Sequence, residues 1–184
     1  MKPNRVRLLA FGTLGIAVCA ALWLGGEWAF GGPPGGKVTW ESVFAWIGRD
    51  WPRVPQMTTG ELARRLGEKG ARPVLIDTRA REEYAVSHLP GALWAETPAQ
   101  IRTALRDVPP ERPVVLYCSV GVRSSKAAAE LMRGGRGNVF NLRGSIFQWA
   151  NEGRAIERDG KPAAGVHPYS RKWGELLDPR LHAR

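Results

Sequence analysis

Short apolar runs recur along most of this chain, separated by stretches with helical patterns. The strongest run is Pro113–Tyr117, and Pro73–Asp77 is a second continuous run. Runs without polar alternation are typical of strands buried on both faces of a parallel sheet. Shorter strands are predicted at Val54–Met57, Ala92–Trp94 and Asn138–Leu142.

Helical patterns fill the intervals between these strands. Ser124–Arg133 has the strongest pattern, and Thr58–Glu61 has the sequence of a capping box that opens a helix to about Lys69. Strands that alternate with helices of about ten residues predict an α/β fold, a doubly wound parallel sheet flanked by helices. Further short helices are predicted at Arg81–Val86, Pro98–Arg106 and Ser145–Asn151.

One more short helix is predicted before the first strand, over Val38–Ile47, and Trp51-Pro52 closes it. We expect its apolar face to pack on the domain rather than to lie in a membrane interface. The side chains of that face follow an i, i+3, i+4, i+7 spacing and are Trp40, Val43, Phe44 and Ile47.

The N-terminal segment carries an uncharged run of 19 residues, Leu8–Gly26. As a helix it would span roughly 28 Å, close to the hydrocarbon thickness of a bilayer. Because basic flanks stay cytoplasmic, we expect a transmembrane anchor with the rest of the chain on the exported side, periplasmic or extracytoplasmic. The cations that precede the run are Lys2, Arg5 and Arg7.

A cleaved signal peptide is the alternative, and it would leave a secreted protein. Val18-Cys19-Ala20 is an acceptable small-residue cleavage site. The apolar run continues beyond it to Leu24, and Trp23 and Trp28 suit a membrane interface. The uncleaved anchor is therefore the favoured prediction.

These patterns divide the chain into four parts. Residues 1–26 are the cytoplasmic tip and the anchor or signal segment, and residues 27–52 are a Gly- and Pro-rich linker with the short helix. Residues 53–153 form the α/β domain. Residues 154–184 are an extension of no assigned function, with a turn at Asp159-Gly160 and an apolar stripe expected to pack in a core, Trp173, Leu176 and Leu177.

Composition fits one domain with an extra N-terminal segment. Of 184 residues, 43% are hydrophobic and 24% charged, which excludes a disordered chain and a polytopic membrane protein. The net charge is +10, but the chain has no run of five basic residues, and for an exported domain we expect no nucleic acid partner. Two cysteines and three scattered histidines make neither a disulfide scaffold nor a zinc site.

The residues suited to chemistry follow the strongest strand. Ligands of open α/β sheets bind beyond the carboxyl ends of the strands, and Cys118 comes directly after this one. Backbone N–H groups of the next loop, the positive end of the following helix and an arginine side chain would all stabilise a thiolate. The loop consists of Ser119, Val120, Gly121, Val122 and Arg123.

We therefore interpret Cys118 as a nucleophile in an anion-binding loop. Gly121 permits the unusual backbone angles of a tight loop, and Arg123 supplies a cation able to hold an oxyanion. A buried structural thiol is the alternative. We favour it less, because a glycine and an arginine share the loop.

This loop resembles the active-site loop of the rhodanese (sulfurtransferase) family, in which four residues separate the nucleophilic cysteine from an arginine. A second block, Asp77–Ala92, is similar to the family's D-x-R, E-(Y/F) and G-H-I-P-G-A sequences. A third, Asn141–Gly153, is similar to its L-x-G-G-I…W…G ending. The blocks follow the family's order and cover about residues 54–153.

Three positions depart from the family pattern. Ser119 stands where many members have arginine, which removes one cation from the loop. Ser87 and Ser145 replace glycines, and we expect them to affect turns and not chemistry. Within the second block we interpret three residues as structural: Asp77, Arg79 and His88.

The resemblance implies a sulfurtransferase that needs no metal or organic cofactor. Cys118 would take a sulfane sulfur from a small anionic donor such as thiosulfate, become a persulfide and pass the sulfur to a thiophilic acceptor. Loop residues 119–123 would bind the donor.

Other functions stay open on the sequence alone. One is a non-catalytic module that uses the same fold to bind a protein partner, which the sequence does not identify. Another is a persulfide carrier at the membrane. A cysteine phosphatase is disfavoured, because its loop has five residues between cysteine and arginine, whereas Cys118 and Arg123 are separated by four.

Overall fold

The computed structural model describes residues 38–70 and 72–183. The predicted anchor or signal segment, residues 1–26, lies outside these residues. Among the helices that are described, none combines the length and the apolar character that a membrane span requires.

Five parallel strands form the central sheet, in the spatial order β1-β5-β4-β2-β3. The central strand β4 and its neighbour β2 are the two continuous apolar runs, and all their residues are buried. The predicted α/β fold with a parallel sheet is confirmed. The strands are β1 (Gln56–Met57), β2 (Val74–Asp77), β3 (Leu93–Trp94), β4 (Val114–Tyr117) and β5 (Val139–Leu142).

Helices connect the strands, and the bounds of the predicted elements differ from the observed ones by at most three residues. Strand β1 is shorter than predicted, because Pro55 has no N–H group to donate to the sheet and only its carbonyl pairs with Asn141. The helices are α1 (Trp40–Asp50), α2 (Thr59–Gly67), α3 (Arg81–Val86), α4 (Pro98–Ala104), α5 (Val122–Arg133), α6 (Ser145–Asn151) and α7 (Arg171–Gly174).

Two helix starts correct the sequence analysis. The hydroxyl of Thr58 accepts the N–H of Glu61 at 3.1 Å, but the Glu61 carboxylate pairs with Arg65, so only half of the predicted capping box forms. Helix α5 begins at Val122, two residues earlier than predicted. Its N-cap, Gly121, has a φ of 110°, so the chain turns from strand to helix almost at once.

Helix α1 packs on the domain as expected. Val43 and Ile47 are buried, while Trp40 and Phe44 are partly buried and stack with ring centroids 5.6 Å apart. On a neighbouring part of the helix, Trp46 contacts the C-terminal extension. The aromatic side chains of α1 are therefore used within the domain.

The C-terminal extension folds back on the domain. Strands β6 (Glu157–Arg158) and β7 (Lys161–Pro162) form a hairpin around the predicted Asp159-Gly160 turn, where both residues have positive φ. The expected core packing of the apolar stripe is confirmed, since its three side chains are buried: Trp173, Leu176 and Leu177.

Candidate active site

Cys118 lies at the carboxyl end of the central strand and is only 1% exposed. Its N–H donates to the hydroxyl of Ser145 at 3.1 Å, and its carbonyl accepts the N–H of Ile146 at 3.2 Å. Both partners are at the start of α6, the helix that follows the neighbouring strand β5, so this helix fixes the position of the Cys118 backbone. Ser145, which was expected to affect a turn, is the first residue of α6 and has a φ of 51°, and its hydroxyl also positions the cysteine.

The Cys118 sulfur faces hydrogen-bond donors at the start of α5. The N–H of Gly121 donates to Sγ at 3.2 Å. Burial raises the pKa of the thiol. The charge of Arg123 and hydrogen bonds from Ser124 and Gly121 lower it by more than burial raises it, so the pKa lies below the ordinary thiol value. First-turn N–H groups of a helix have no partner within the helix, which leaves them free to serve an anion.

Arg123 is held by Glu83. The Nη1 and Nη2 atoms donate to the two Glu83 carboxylate oxygens at 2.7 and 2.8 Å. Nη2 also donates to the Ser119 hydroxyl at 2.9 Å, and that hydroxyl donates to Glu83 at 2.9 Å. These three side chains form one hydrogen-bonded cluster beside the thiol.

Charge is retained within this cluster despite its burial. Burial raises the pKa of Glu83, but hydrogen bonds and the positive charge of Arg123 hold that pKa below its usual value. Burial likewise opposes the charge of Arg123, whose pKa is nevertheless raised by its hydrogen bonds to Glu83 and by the neighbouring Cys118 and Glu83 charges. The Arg123 guanidinium next to Cys118 is therefore held in one position and stays positively charged.

The cluster revises how Ser119 and Arg123 act. From the sequence both were expected to bind the donor anion, but in the structure their side chains hydrogen-bond to Glu83 and to each other. Their direct contact with a donor stays a prediction. Glu83 was not singled out from the sequence, although it belongs to the E-(Y/F) part of the second block, Glu83-Tyr84.

The remaining loop residues are packed tightly. Val120 and Val122 are buried, with 4% and 3% of their surface exposed. At Gly121 an added Cβ would lie 3.1 Å from Ile47 Cδ1 and 3.2 Å from Asn141 Nδ2. Both the positive φ and the lack of space require glycine there.

Ser124 is a site residue that the sequence analysis missed, because its predicted place was in the helix beyond the loop. Its hydroxyl lies beside the Cys118 thiol and can donate its single proton either to that sulfur or to Asn141 Oδ1, which is 2.6 Å away. Asn141 in turn donates to Gln56 at 2.7 Å, which fixes the amide. Ser125, the next residue, is equally buried and its hydroxyl has no hydrogen-bond partner.

The residues interpreted as structural make internal contacts. Asp77 accepts three hydrogen bonds from the Arg79 guanidinium and one from the Arg79 backbone N–H, at 2.7 to 3.1 Å. His88 is buried, stacks on Tyr84 at 3.9 Å and hydrogen-bonds the Tyr84 carbonyl. Across residues 38–70 and 72–183, no three His, Cys, Asp or Glu side chains are grouped to hold a metal ion.

Comparison with known proteins agrees with the fold. Residues 58–152 match the family model of the rhodanese-like domain. A sulfurtransferase from Allochromatium vinosum is 42% identical over 84 residues, which are 45% of this chain and 77% of that protein.

Other similar proteins are longer. A probable adenylyltransferase/sulfurtransferase MoeZ of Mycobacterium tuberculosis is 34% identical over 46% of this chain and 22% of its own length. A tRNA uridine(34) hydroxylase of Pectobacterium carotovorum is 30% identical over 45% of this chain and 24% of its own length. The crystal structure of thiosulfate sulfurtransferase from Pseudomonas aeruginosa aligns with a TM-score of 0.55 at 22% identity, over 73% of this chain and 25% of that one, and shows the shared fold.

Proposed function

The chain belongs to the rhodanese-like domain family, and on this premise we propose that it is a sulfurtransferase acting through a persulfide on Cys118. The donor is thiosulfate or a similar small sulfane compound, and the acceptor is a thiophile. One observation carries the proposal: the buried Cys118 thiol has a lowered pKa and lies among N–H donors next to a fixed cation.

Two displacements make up the reaction. The Cys118 thiolate attacks the outer sulfur of thiosulfate, the S–S bond breaks, and sulfite leaves with the bonding electron pair. A thiophile such as cyanide or a thiol then attacks the outer sulfur of the persulfide and releases the Cys118 thiolate. The sulfur is transferred without net oxidation or reduction of the protein.

The site suits both steps, because each begins or ends with an anionic sulfur at position 118. The N–H of Gly121, the Ser124 hydroxyl and the charge of Arg123 all favour that anion. Preorganised donors of this kind lower the barrier, since they need no reorganisation when charge develops.

We also propose that residues 8–26 anchor the domain on the exported side of a membrane. The 19-residue uncharged run and its basic N-terminal flank support this location. Protease treatment of spheroplasts tests it: an exported domain is digested without lysis and leaves the membrane only with detergent. Digestion that requires lysis would contradict the proposed orientation.

Mass spectrometry of the full chain tests the sulfurtransferase proposal. After thiosulfate and removal of the excess donor, we expect one added sulfur atom on the peptide that contains Cys118, and its loss to cyanide as thiocyanate. A Cys19→Ser background leaves Cys118 as the only thiol. Labelling by a protein persulfide but not by thiosulfate would indicate a carrier, and no labelling by either would refute the chemistry.

Replacing the nucleophile should separate chemistry from folding. We expect Cys118→Ser to abolish sulfur transfer, because a serine hydroxyl does not carry a transferable sulfur. The melting temperature should change by only a few degrees, since the replacement is nearly isosteric. Transfer at the parental rate would refute the assignment of Cys118.

A further inference from the structure

The C-terminal extension reaches the active site from outside the part of the chain that matches the family model. The matching part ends at residue 152. Beyond it, Glu157 pairs with His88 through backbone hydrogen bonds of 2.8 and 2.9 Å. Trp173 stacks on Trp46 of α1 with ring centroids 6.4 Å apart. The segment between these two attachments is therefore held against the domain at both ends.

Asn151, near the end of α6, adds a third attachment. Its side-chain amide donates to the carbonyl of Leu176 and accepts the N–H of Asp178, each at 2.8 Å. Gly165 passes so close to Leu181 that a Cβ would lie 2.8 Å from that carbonyl oxygen. These contacts define the course of the extension on both sides of residue 169.

Tyr169 lies between the attachments with its ring 4.7 Å from the guanidinium carbon of Arg123. Its φ is 64°, a left-handed conformation that is unfavourable for a residue with a side chain. The surrounding contacts impose this conformation: the Tyr169 N–H donates to His167 Nδ1 at 3.0 Å, and Ser170 caps α7.

The Arg123 guanidinium is thus held along its edge and on one face. Glu83 and Ser119 bind its terminal nitrogens, and the Tyr169 ring covers a face. An aromatic ring at this distance attracts the cation and displaces water from it. A cation shielded from water exerts a stronger field on a neighbouring sulfur, because the effective dielectric constant between them is lower.

We propose that Tyr169 is a positioning residue of the active site, whose ring holds the Arg123 guanidinium against Glu83 and keeps its charge shielded beside Cys118. The inference rests on the proposed function, since it assigns Tyr169 a part in stabilising the anionic sulfur that the reaction requires. It places part of the catalytic environment in the C-terminal extension, beyond the family domain.

Thiolate absorbance at 240 nm, followed against pH in the full chain, tests this role. Every variant carries Cys19→Ser, and the matching Cys118→Ser protein is the blank, so the signal comes from Cys118 alone. Tyr169→Leu removes the ring without adding β-branching at a positive φ, and Tyr169→Phe keeps the ring. Phe140→Leu is the control, because it removes another ring from an arginine, Arg65 at 5.7 Å, outside the site.

We expect Tyr169→Leu to raise the pKa of Cys118, so that at a fixed pH below it the thiolate fraction falls about two- to fivefold. Tyr169→Phe and Phe140→Leu should titrate like the parent. An unchanged or lowered pKa in Tyr169→Leu, failure of the Phe variant to restore the parental value, or an equal shift in Phe140→Leu would each overturn the proposal.

The titration also keeps the two proposals distinguishable. If the parent protein acquires no sulfur from any donor, the proposed function fails, whereas the pKa shift still decides whether Tyr169 acts on Cys118 through Arg123. If the parent transfers sulfur and the shift is absent, only the role of Tyr169 fails.

Discussion

Two arginine–carboxylate pairs lie beyond the carboxyl ends of neighbouring strands, and they differ in what surrounds them. Arg79 pairs with Asp77 at the end of β2, where both side chains are 0% exposed. Arg123 pairs with Glu83 beyond β4, where the side chains are 20% and 3% exposed. The same two functional groups thus occur once in a closed interior and once beside the Cys118 thiol.

The contacts of the two pairs lead to different roles. Arg79 also donates to the Ser87 carbonyl at 2.5 Å, so that pair joins the end of β2 to the segment after α3. The charge of Arg123 instead lowers the pKa of Cys118. We therefore interpret the Arg79 pair as structural, since it joins two parts of the scaffold, and the Arg123 pair as acting on chemistry, since its cation lies beside the Cys118 thiol.

Breaking the fully buried Asp77–Arg79 pair should have the largest effect on stability. Asp77→Asn leaves the buried Arg79 charge uncompensated, and we expect it to lower the free energy of unfolding by about 3–5 kcal/mol. Urea unfolding followed by circular dichroism measures the loss. The double replacement Asp77→Leu with Arg79→Met should recover most of it, and a loss below about 1 kcal/mol in Asp77→Asn would contradict the structural role.

Breaking the pair beside the thiol should affect reactivity more than folding. In Arg123→Gln we expect the pKa of Cys118 to rise, because the largest favourable interaction of its thiolate is lost. Each unit of rise lowers the thiolate fraction, and with it sulfur transfer below that pKa, about tenfold. The pH profile of transfer from thiosulfate should shift to higher pH.

The stability of Arg123→Gln is the control for that comparison. We expect a smaller loss in urea unfolding than in Asp77→Asn, because the Arg123 side chain is partly exposed and Glu83 can take up a proton. Equal losses in the two variants, together with an unshifted pH profile, would show that the two pairs do not differ in role.

The pH dependence of folding should reveal the ionised Glu83. Its pKa in the folded protein lies below 4.5, so its contribution to stability is fully present above that pH and is lost as the pH falls through the folded value. Glu83→Gln should therefore be less stable than the parent at neutral pH, with the difference shrinking below about pH 4.5. A constant difference in melting temperature across this range would contradict the assignment.

A serine pair on α5 provides the smallest and most closely matched test. Ser124→Ala removes a hydroxyl that interacts with the Cys118 thiol, and we expect the pKa of that thiol to rise by a fraction of a unit. This rise corresponds to a loss of about 1 kcal/mol or less in the stabilisation of the thiolate. Ser125→Ala removes a hydroxyl without a hydrogen-bond partner, so the pKa should stay unchanged and stability should be equal or slightly higher. The same titration result in both variants would exclude a specific role for Ser124.

Local pattern was sufficient for the strands, the helices and the place of Cys118. Continuous apolar runs located β2 and β4, and the family resemblance located the loop between β4 and α5. The early start of α5 was missed, because helical periodicity does not show that a positive φ at Gly121 lets the helix begin without further loop residues. Ser124 was overlooked for the same reason.

Contacts between residues far apart in the sequence could not be predicted from local sequence pattern. Glu83 and Arg123 are 40 positions apart, and nothing in their spacing shows that they form a bidentate pair. Tyr169 lies in a segment without a family motif, and its place over Arg123 depends on three attachments of the extension to the domain.

The amino-acid sequence by itself determined that this chain forms a parallel α/β domain with a cysteine at the carboxyl end of its most apolar strand, because hydrophobic periodicity and turn residues act over neighbouring positions. Only the tertiary structure decided which charges surround that cysteine. Electrostatic and aromatic interactions depend on distance in space, and the fold brings Glu83, Arg123 and Tyr169 together from three separate parts of the chain.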